Sequence, residues 1–289
     1  MESAVFHEVG ELELTMELMH PPGSDQPSYA VWIHGGALMF GSRHHIPQWL
    51  SETCLGHDIG LASIEYRLAP TTTLPAIVDD VERAIAWLAE DRAPSRLAVV
   101  GESAGGYLAL VAGFRATPRP DAIVSLWGYG DLLGEWYTRP SPHPVHREIE
   151  MSEEQARSQV DGPEVADERD RPGNPYAFYL FCRQRGIWPS EVSGWDPVTE
   201  SGRFEPYMPI ANVAATFPPT LLVHGTEDTD VPHTEGEKMA SLLQEVGVEH
   251  ELLSVEGAEH GLDRASAGEV DAVYETVSRF LVDRLVSPG

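Results

Sequence analysis

The chain has little cysteine, almost no lysine and no long apolar run. Its two cysteines, Cys54 and Cys182, match neither a metal-ligand nor a redox spacing, so a disulfide framework is excluded as the basis of the fold and both read as buried thiols. No segment approaches the ~20 uninterrupted apolar residues that a membrane helix needs. Residues 1–8 also lack the basic start and apolar core of a secretion signal, so a soluble, cytoplasmic protein is expected. Lys238 is the single lysine, and 19 basic against 46 acidic residues leave a formal charge of −27. Such a surface repels phosphate backbones and anionic lipids, which argues against nucleic acid or a membrane as partner and favours neutral or cationic small molecules. It is compatible with a solvated acidic surface or with adaptation to salt.

What is present is the composition of a globular enzyme-sized chain. Of 289 residues, 42% are hydrophobic, too many for disorder, and the 26 Gly and 23 Pro follow no three-residue repeat. The length fits two domains or one large α/β domain. Near-continuous apolar runs occur at Tyr29 to His34, Leu61 to Tyr66, Arg96 to Val100, Ala122 to Trp127, Thr220 to His224 and His250 to Val255. Such runs are expected of strands in a parallel sheet covered on both faces. Between them lie helical periods: Ile77, Val81, Ile85 and Leu88 after Pro75; Met239, Leu242, Leu243 and Val246; and Val270, Val273, Val277, Phe280 and Leu281. Strand and helix in alternation predict a doubly wound, mostly parallel α/β sheet, and the alternating segment Val5 to Met19 around Gly10 predicts an antiparallel hairpin at its edge. The alternation breaks over residues 132–215. Two helices are expected there, around Ser152 to Val160 and Tyr176 to Gln184, and no strand, which reads as an insertion above the sheet within one domain spanning residues 1–289. Half of the aromatic residues of the chain fall between Trp127 and Tyr207. They predict a small core for the insertion and an apolar pocket wall.

The chemistry is concentrated in three places. Gly101-Glu102-Ser103-Ala104-Gly105 follows an apolar strand and opens a helical pattern, so it is G-x-S-x-G in a strand-turn-helix setting, where a sharp turn projects the serine hydroxyl outward. A serine needs a base and an orienting acid. After Thr220 to His224 comes Glu227-Asp228-Thr229-Asp230, and Asp228 is the chosen acid with Glu227 and Asp230 as competitors. After His250 to Val255 comes Glu256-Gly257-Ala258-Glu259-His260, and His260 is the base. His34 and His224 end apolar strands and read as buried structural residues, and the other histidines, His146 among them, have no second supporting feature. Upstream, His34-Gly35-Gly36-Ala37 provides backbone amides for an oxyanion, a single donor being worth roughly 3 kcal/mol in such sites. The expected donors are Gly36, Ala37 and Ala104, with Gly35 as substitute. No metal-ligand spacing occurs, and no cofactor is implied.

These residues, together with Tyr66-Arg67-Leu68-Ala69-Pro70, Asp79-Asp80 with Trp87-Leu88, His224-Gly225, Val231-Pro232 and Gly257-Ala258, give a chain that resembles the α/β-hydrolases, most nearly the hormone-sensitive-lipase-like carboxylesterases. The resemblance implies the α/β-hydrolase fold with a helical lid, nucleophile Ser103, acid Asp228, base His260, and hydrolysis of a small neutral ester, short-chain acyl or aryl, through an acyl-enzyme. Ala37 stands where many relatives have a third glycine, which keeps the amide and narrows the space for a bulky alcohol. A lactonase, amidase or peptidase-like hydrolase shares the layout; a gated peptidase would need a large N-terminal domain, whereas only the predicted hairpin precedes Tyr29. A non-catalytic binding protein is disfavoured because all three triad residue types are present. The expected partner is a small-molecule ester, and a homodimer is compatible with the sequence.

Overall fold

The computed structural model describes residues 1–21 and 26–286. An antiparallel hairpin, β1 (Glu2–Val9) and β2 (Leu12–Met19), leads into β3 (Tyr29–Ile33), α1 (Gln48–Gly56), β4 (Gly60–Ile64), α2 (Leu74–Arg92), β5 (Leu97–Glu102), α3 (Ala104–Arg115) and β6 (Ala122–Leu126). After a strandless segment carrying α4 (Glu135–Thr138), α5 (Glu153–Arg157), α6 (Pro175–Arg185), α7 (Trp188–Ser193) and α8 (Pro209–Asn212), the chain returns through β7 (Thr220–Gly225), α9 (Thr234–Glu245), β8 (His250–Val255) and α10 (Ala267–Leu285). The eight strands form one sheet in the order β1-β2-β4-β3-β5-β6-β7-β8. β2 pairs antiparallel with β4, and every pairing from β4 through β8 is parallel. The predicted doubly wound sheet and its edge hairpin are therefore both present.

Strand periodicity divides the apolar residues between two faces. Val31, Ile33, Val99 and Ile123 join one buried cluster with Ile77 of α2, Leu108 of α3 and Met239 of α9. Ala30, Trp32, Val100 and Val124 join another with Leu50 and Cys54 of α1 and Val273 and Val277 of α10. Both cysteines are buried and free. The segment after β6 does not have a core of its own: Phe178, Trp188 and Phe204 belong to the same cluster as Val31 and Leu108. Its aromatic residues pack within that shared core, Tyr137 stacked on Trp188 at 3.8 Å and Trp195 edge-to-face with Phe204 at 5.2 Å.

The differences from expectation have local causes. The strand expected to run to Tyr66 stops at Ile64, because the Tyr66 hydroxyl turns to donate to the carbonyls of His34 and Gly35, at 3.1 and 3.2 Å. The strand expected to end at Val100 continues to Glu102 by pairing with Leu126. α5 begins at a Ser152–Gln155 capping box but is shorter than expected, with Val160 closing a tighter turn onto Arg157. The periodic stretch read over Met239 to Val246 begins earlier, at Thr234. α1 was not anticipated. It buries only Leu50 and Cys54, one i, i+4 pair, and so carries a weak periodic signal.

Candidate active site

Strand β5 runs directly into α3 through Ser103, held at φ 52° and ψ −118°. The two flanking glycines explain how so tight a turn closes. A Cβ on Gly101 would lie 2.1 Å from the Gly105 carbonyl oxygen, and one on Gly105 would lie 2.0 Å from that of Ile33. Neither position admits a side chain, and the strained serine is fixed between them.

Two loops at the carboxyl ends of neighbouring strands bring the other groups to Ser103. Asp228 follows β7 and is buried; its Oδ2 lies 2.8 Å from His260 Nδ1. His260 follows β8, with a quarter of its side chain exposed, and its Nε2 lies 3.1 Å from Ser103 Oγ. Asp228 Oδ1 accepts from the amides of Asp230 and Val231, and its Oδ2 lies 3.3 Å from His224 Nε2. Burial opposes ionisation of Asp228, but hydrogen bonds from His224 and His260 hold its pKa below the ordinary carboxylate value. Burial likewise opposes protonation of His260. The Asp228 hydrogen bond and the charges of Asp228, Asp230 and Glu102 outweigh it and push the pKa up to about 9.

The competing acids go elsewhere. Glu227 is exposed, and Asp230 lies on the opposite side of the imidazole, its Oδ2 3.7 Å from Nε2. His224 is buried and bonds the Val231 carbonyl at 2.9 Å. His34 is buried, bonds the Gly35 carbonyl at 2.7 Å and stacks on Tyr66 at 4.4 Å; burial lowers its pKa to about 4. Both histidines thus occupy structural positions. Tyr66 sets the His34-Gly35 turn, and its neighbour Arg67 grips Asp80 of α2 through Nε at 2.9 Å and a terminal nitrogen at 2.8 Å.

The amides of Gly36, Ala37 and Ala104 find no acceptor among the described residues. A backbone hydrogen bond from Gly35 helps offset the burial that raises the pKa of the Glu102 carboxyl. Ala37 adopts φ 52°, and its carbonyl accepts from the Trp188 indole at 3.0 Å. Sequence reasoning missed Trp188, His146, Tyr179 and Arg183, which reach this region from the segment between β6 and β7; each looked like packing or bulk charge, and only the partners they find distinguish them.

A cavity of about 920 Å³ opens over Ser103. Phe40, Trp127, Tyr176, Tyr179 and Tyr274 supply aromatic wall, and Glu102, Glu168, Asp230, Glu259 and Asp263 supply carboxylates. Among the described residues, Arg264 is the sole arginine on its lining, and it pairs with Glu259 at 3.1 Å. Among the described residues, one cluster could offer three metal-ligand atoms: His7, Asp79 and Asp80, outside this cavity. Both Asp80 oxygens are already used by Arg67. No helix among the described residues is long and apolar enough to cross a membrane.

Residues 30–264 match a family model described as alpha/beta hydrolase fold. Among curated relatives, a non-reducing polyketide synthase of Emericella nidulans is 26% identical over 91% of the chain, which spans only 13% of that protein. A probable isoprenylcysteine alpha-carbonyl methylesterase of Arabidopsis thaliana is 24% identical over 91% of the chain and 52% of its own length. A solved protein of unknown function from Staphylococcus aureus superposes with a TM-score of 0.82 at 21% identity, covering 99% of this chain and all of that one. The propionate-bound esterase 2 of Thermogutta terrifontis superposes with a TM-score of 0.68 at 20% identity, covering 100% of this chain and 96% of that one. With the family model covering most of the chain and the sheet in the matching arrangement, this chain belongs to the alpha/beta-hydrolase fold family.

Proposed function

We propose that the protein is a serine carboxylic ester hydrolase acting through an acyl-enzyme. The observation that carries this reading is the line of contacts from Asp228 Oδ2 through His260 to Ser103 Oγ, ending on a serine in a strained turn. His260 Nε2 takes the Ser103 proton as Oγ attacks the ester carbonyl, while Asp228 fixes the tautomer with the proton on Nδ1 and stabilises the imidazolium. The amides of Gly36, Ala37 and Ala104 hold the oxyanion of the tetrahedral intermediate. That intermediate collapses as His260 returns the proton to the leaving alcohol, leaving the acyl group on Ser103. Water, activated by the same imidazole, then releases the acid and regenerates the serine. The match to a methylesterase supports the same reaction class.

The substrate in this reading is a small neutral ester, with a short acyl chain or an aryl group. Aromatic walls favour an apolar body, and the carboxylates on the cavity lining disfavour an anionic one. Residues 132–215 act as a lid within a single hydrolase domain, supplying Tyr176 and Tyr179 to the cavity. The test is hydrolysis of p-nitrophenyl acetate and butyrate, with fluorophosphonate labelling, by the wild-type protein and Ser103→Ala. Loss of both turnover and label in the variant is expected; undiminished turnover would overturn the mechanism.

A further inference from the structure

Three donors from the segment between β6 and β7 converge on one oxygen of Asp230. His146 Nε2 lies 2.7 Å from Oδ1, an Arg183 terminal nitrogen lies 2.8 Å from it, and the Tyr179 hydroxyl donates to it as well. All three side chains are buried. His146 is fixed from behind by Ser141 at 2.6 Å, and Arg183 lies over the rings of Trp136 and Tyr137 at 5.5 and 5.0 Å. The Asp230 amide is tied in turn to Asp228 Oδ1 at 2.9 Å. The carboxylate therefore cannot rotate freely, and its other oxygen is held facing His260 Nε2 at 3.7 Å.

We propose that Asp230 is a positioning residue for the base: a second carboxylate, aimed at the Nε2 side of His260 by the insertion, that strengthens the imidazole as a base and couples its basicity to the packing of the insertion. This rests on the Ser103–His260–Asp228 reading. At 3.7 Å the contact is too long for a hydrogen bond, so Asp230 does not take the proton; it acts by charge across a partly dehydrated gap. Once Nε2 is protonated, the imidazolium lies between Asp228 at Nδ1 and Asp230 at Nε2. The carboxyl groups that raise the basicity of His260 are Asp228, Asp230 and Glu102. The titratable or charged groups around Asp230 are His146, Tyr179, Arg183, Tyr137, Tyr176 and His260 itself. Arg183 offsets part of the Asp230 charge, but it bonds to Oδ1 and the Asp230 carbonyl while Oδ2 faces the imidazole, so the nearer charge at His260 is negative.

Asp230→Asn keeps the size of the side chain and an acceptor for its three donors but removes the charge. The acid limb of kcat/KM is expected to move to lower pH by about one unit, the low end of the shift caused by an opposite charge at this range. A purely structural role would lower the rate at every pH and leave the limb in place, which would overturn the proposal. Tyr179→Phe is the companion variant, removing one neutral donor while keeping the charge; its limb is expected to stay or rise, and a fall equal to that of Asp230→Asn would also overturn it. An NMR titration of histidine-labelled Ser103→Ala, with and without Asp230→Asn and with His260 assigned by His260→Gln, reads the coupling without turnover. A lower His260 pKa in the double variant supports the proposal even where the esterase reading fails, and equal pKa values refute it even where that reading holds.

Discussion

At Ser103, φ is 52°, a conformation that costs an ordinary side chain about 1–2 kcal/mol and persists because the surrounding backbone leaves no alternative. His260 has the more consequential setting. Its pKa is pushed up to about 9, whereas the histidine of an unfolded chain titrates near 6.5, and only the neutral imidazole can accept the serine proton. In the proposed mechanism the protonated fraction is therefore inactive, which fixes the sign: kcat/KM should rise with pH and level only above about 9 instead of above about 6.5. A pH profile with p-nitrophenyl butyrate, corrected for spontaneous hydrolysis, checks this; a limb at 6.5 would show that substrate access or water releases the imidazole from its acidic neighbours. Asp228 and Asp230 differ by two positions in the same turn, and residue type does not separate them. One meets Nδ1 in hydrogen-bond contact and the other faces Nε2 across a gap.

Among the elements, α7 connects the segment between β6 and β7 to the Gly36–Ala37 loop, which holds the oxyanion in the proposed mechanism. The Trp188 indole nitrogen donates to the Ala37 carbonyl at 3.0 Å, and its ring stacks on Tyr137. Trp188→Phe retains an aromatic ring but leaves the buried Ala37 carbonyl without its donor, a loss of about 1–3 kcal/mol. Thermal denaturation should show a lower Tm. Because Ala37 supplies an oxyanion amide in the proposed mechanism, kcat should fall several-fold with KM little changed. Equal stability and kcat would mean that α7 merely fills space. The i, i+3 and i, i+4 spacing of α2, α9 and α10 made these helices readable, since each presents one apolar stripe to a sheet face. The insertion did not read as well. Its helices are short, so periodicity barely accumulates, and their roles depend on partners far away in sequence: Arg183 with Asp230, Arg171 with the carbonyls of Leu68 and Ala69.

On the scale of the molecule, the formal charge of −27 and the carboxylates around the cavity act in the same direction. A neutral ester should be hydrolysed with higher kcat/KM than its carboxylated analogue, and raising the ionic strength from 10 mM to about 0.5 M should narrow the gap by shortening the reach of the field. Preference for the anionic ester would refute the assignment of a neutral substrate. The same series, read by thermal denaturation, tests adaptation to salt: a protein adapted to salt loses stability at the low end, whereas a merely acidic surface leaves Tm nearly flat.

The sequence by itself determined the sheet, because buried parallel strands must be apolar on both faces and so appear as continuous runs, and it determined the elbow, because Gly101 and Gly105 are the residues that can occupy a turn without room for a Cβ. It also narrowed the candidate base and acid to particular loops, since chain order in this layout places them after successive strands. Only the tertiary structure decided which of two neighbouring aspartates contacts Nδ1, and that His146, Tyr179 and Arg183 gather on Asp230. Those outcomes depend on directions and distances between segments far apart in the chain, and local residue patterns carry no information about where a side chain points once such segments have packed.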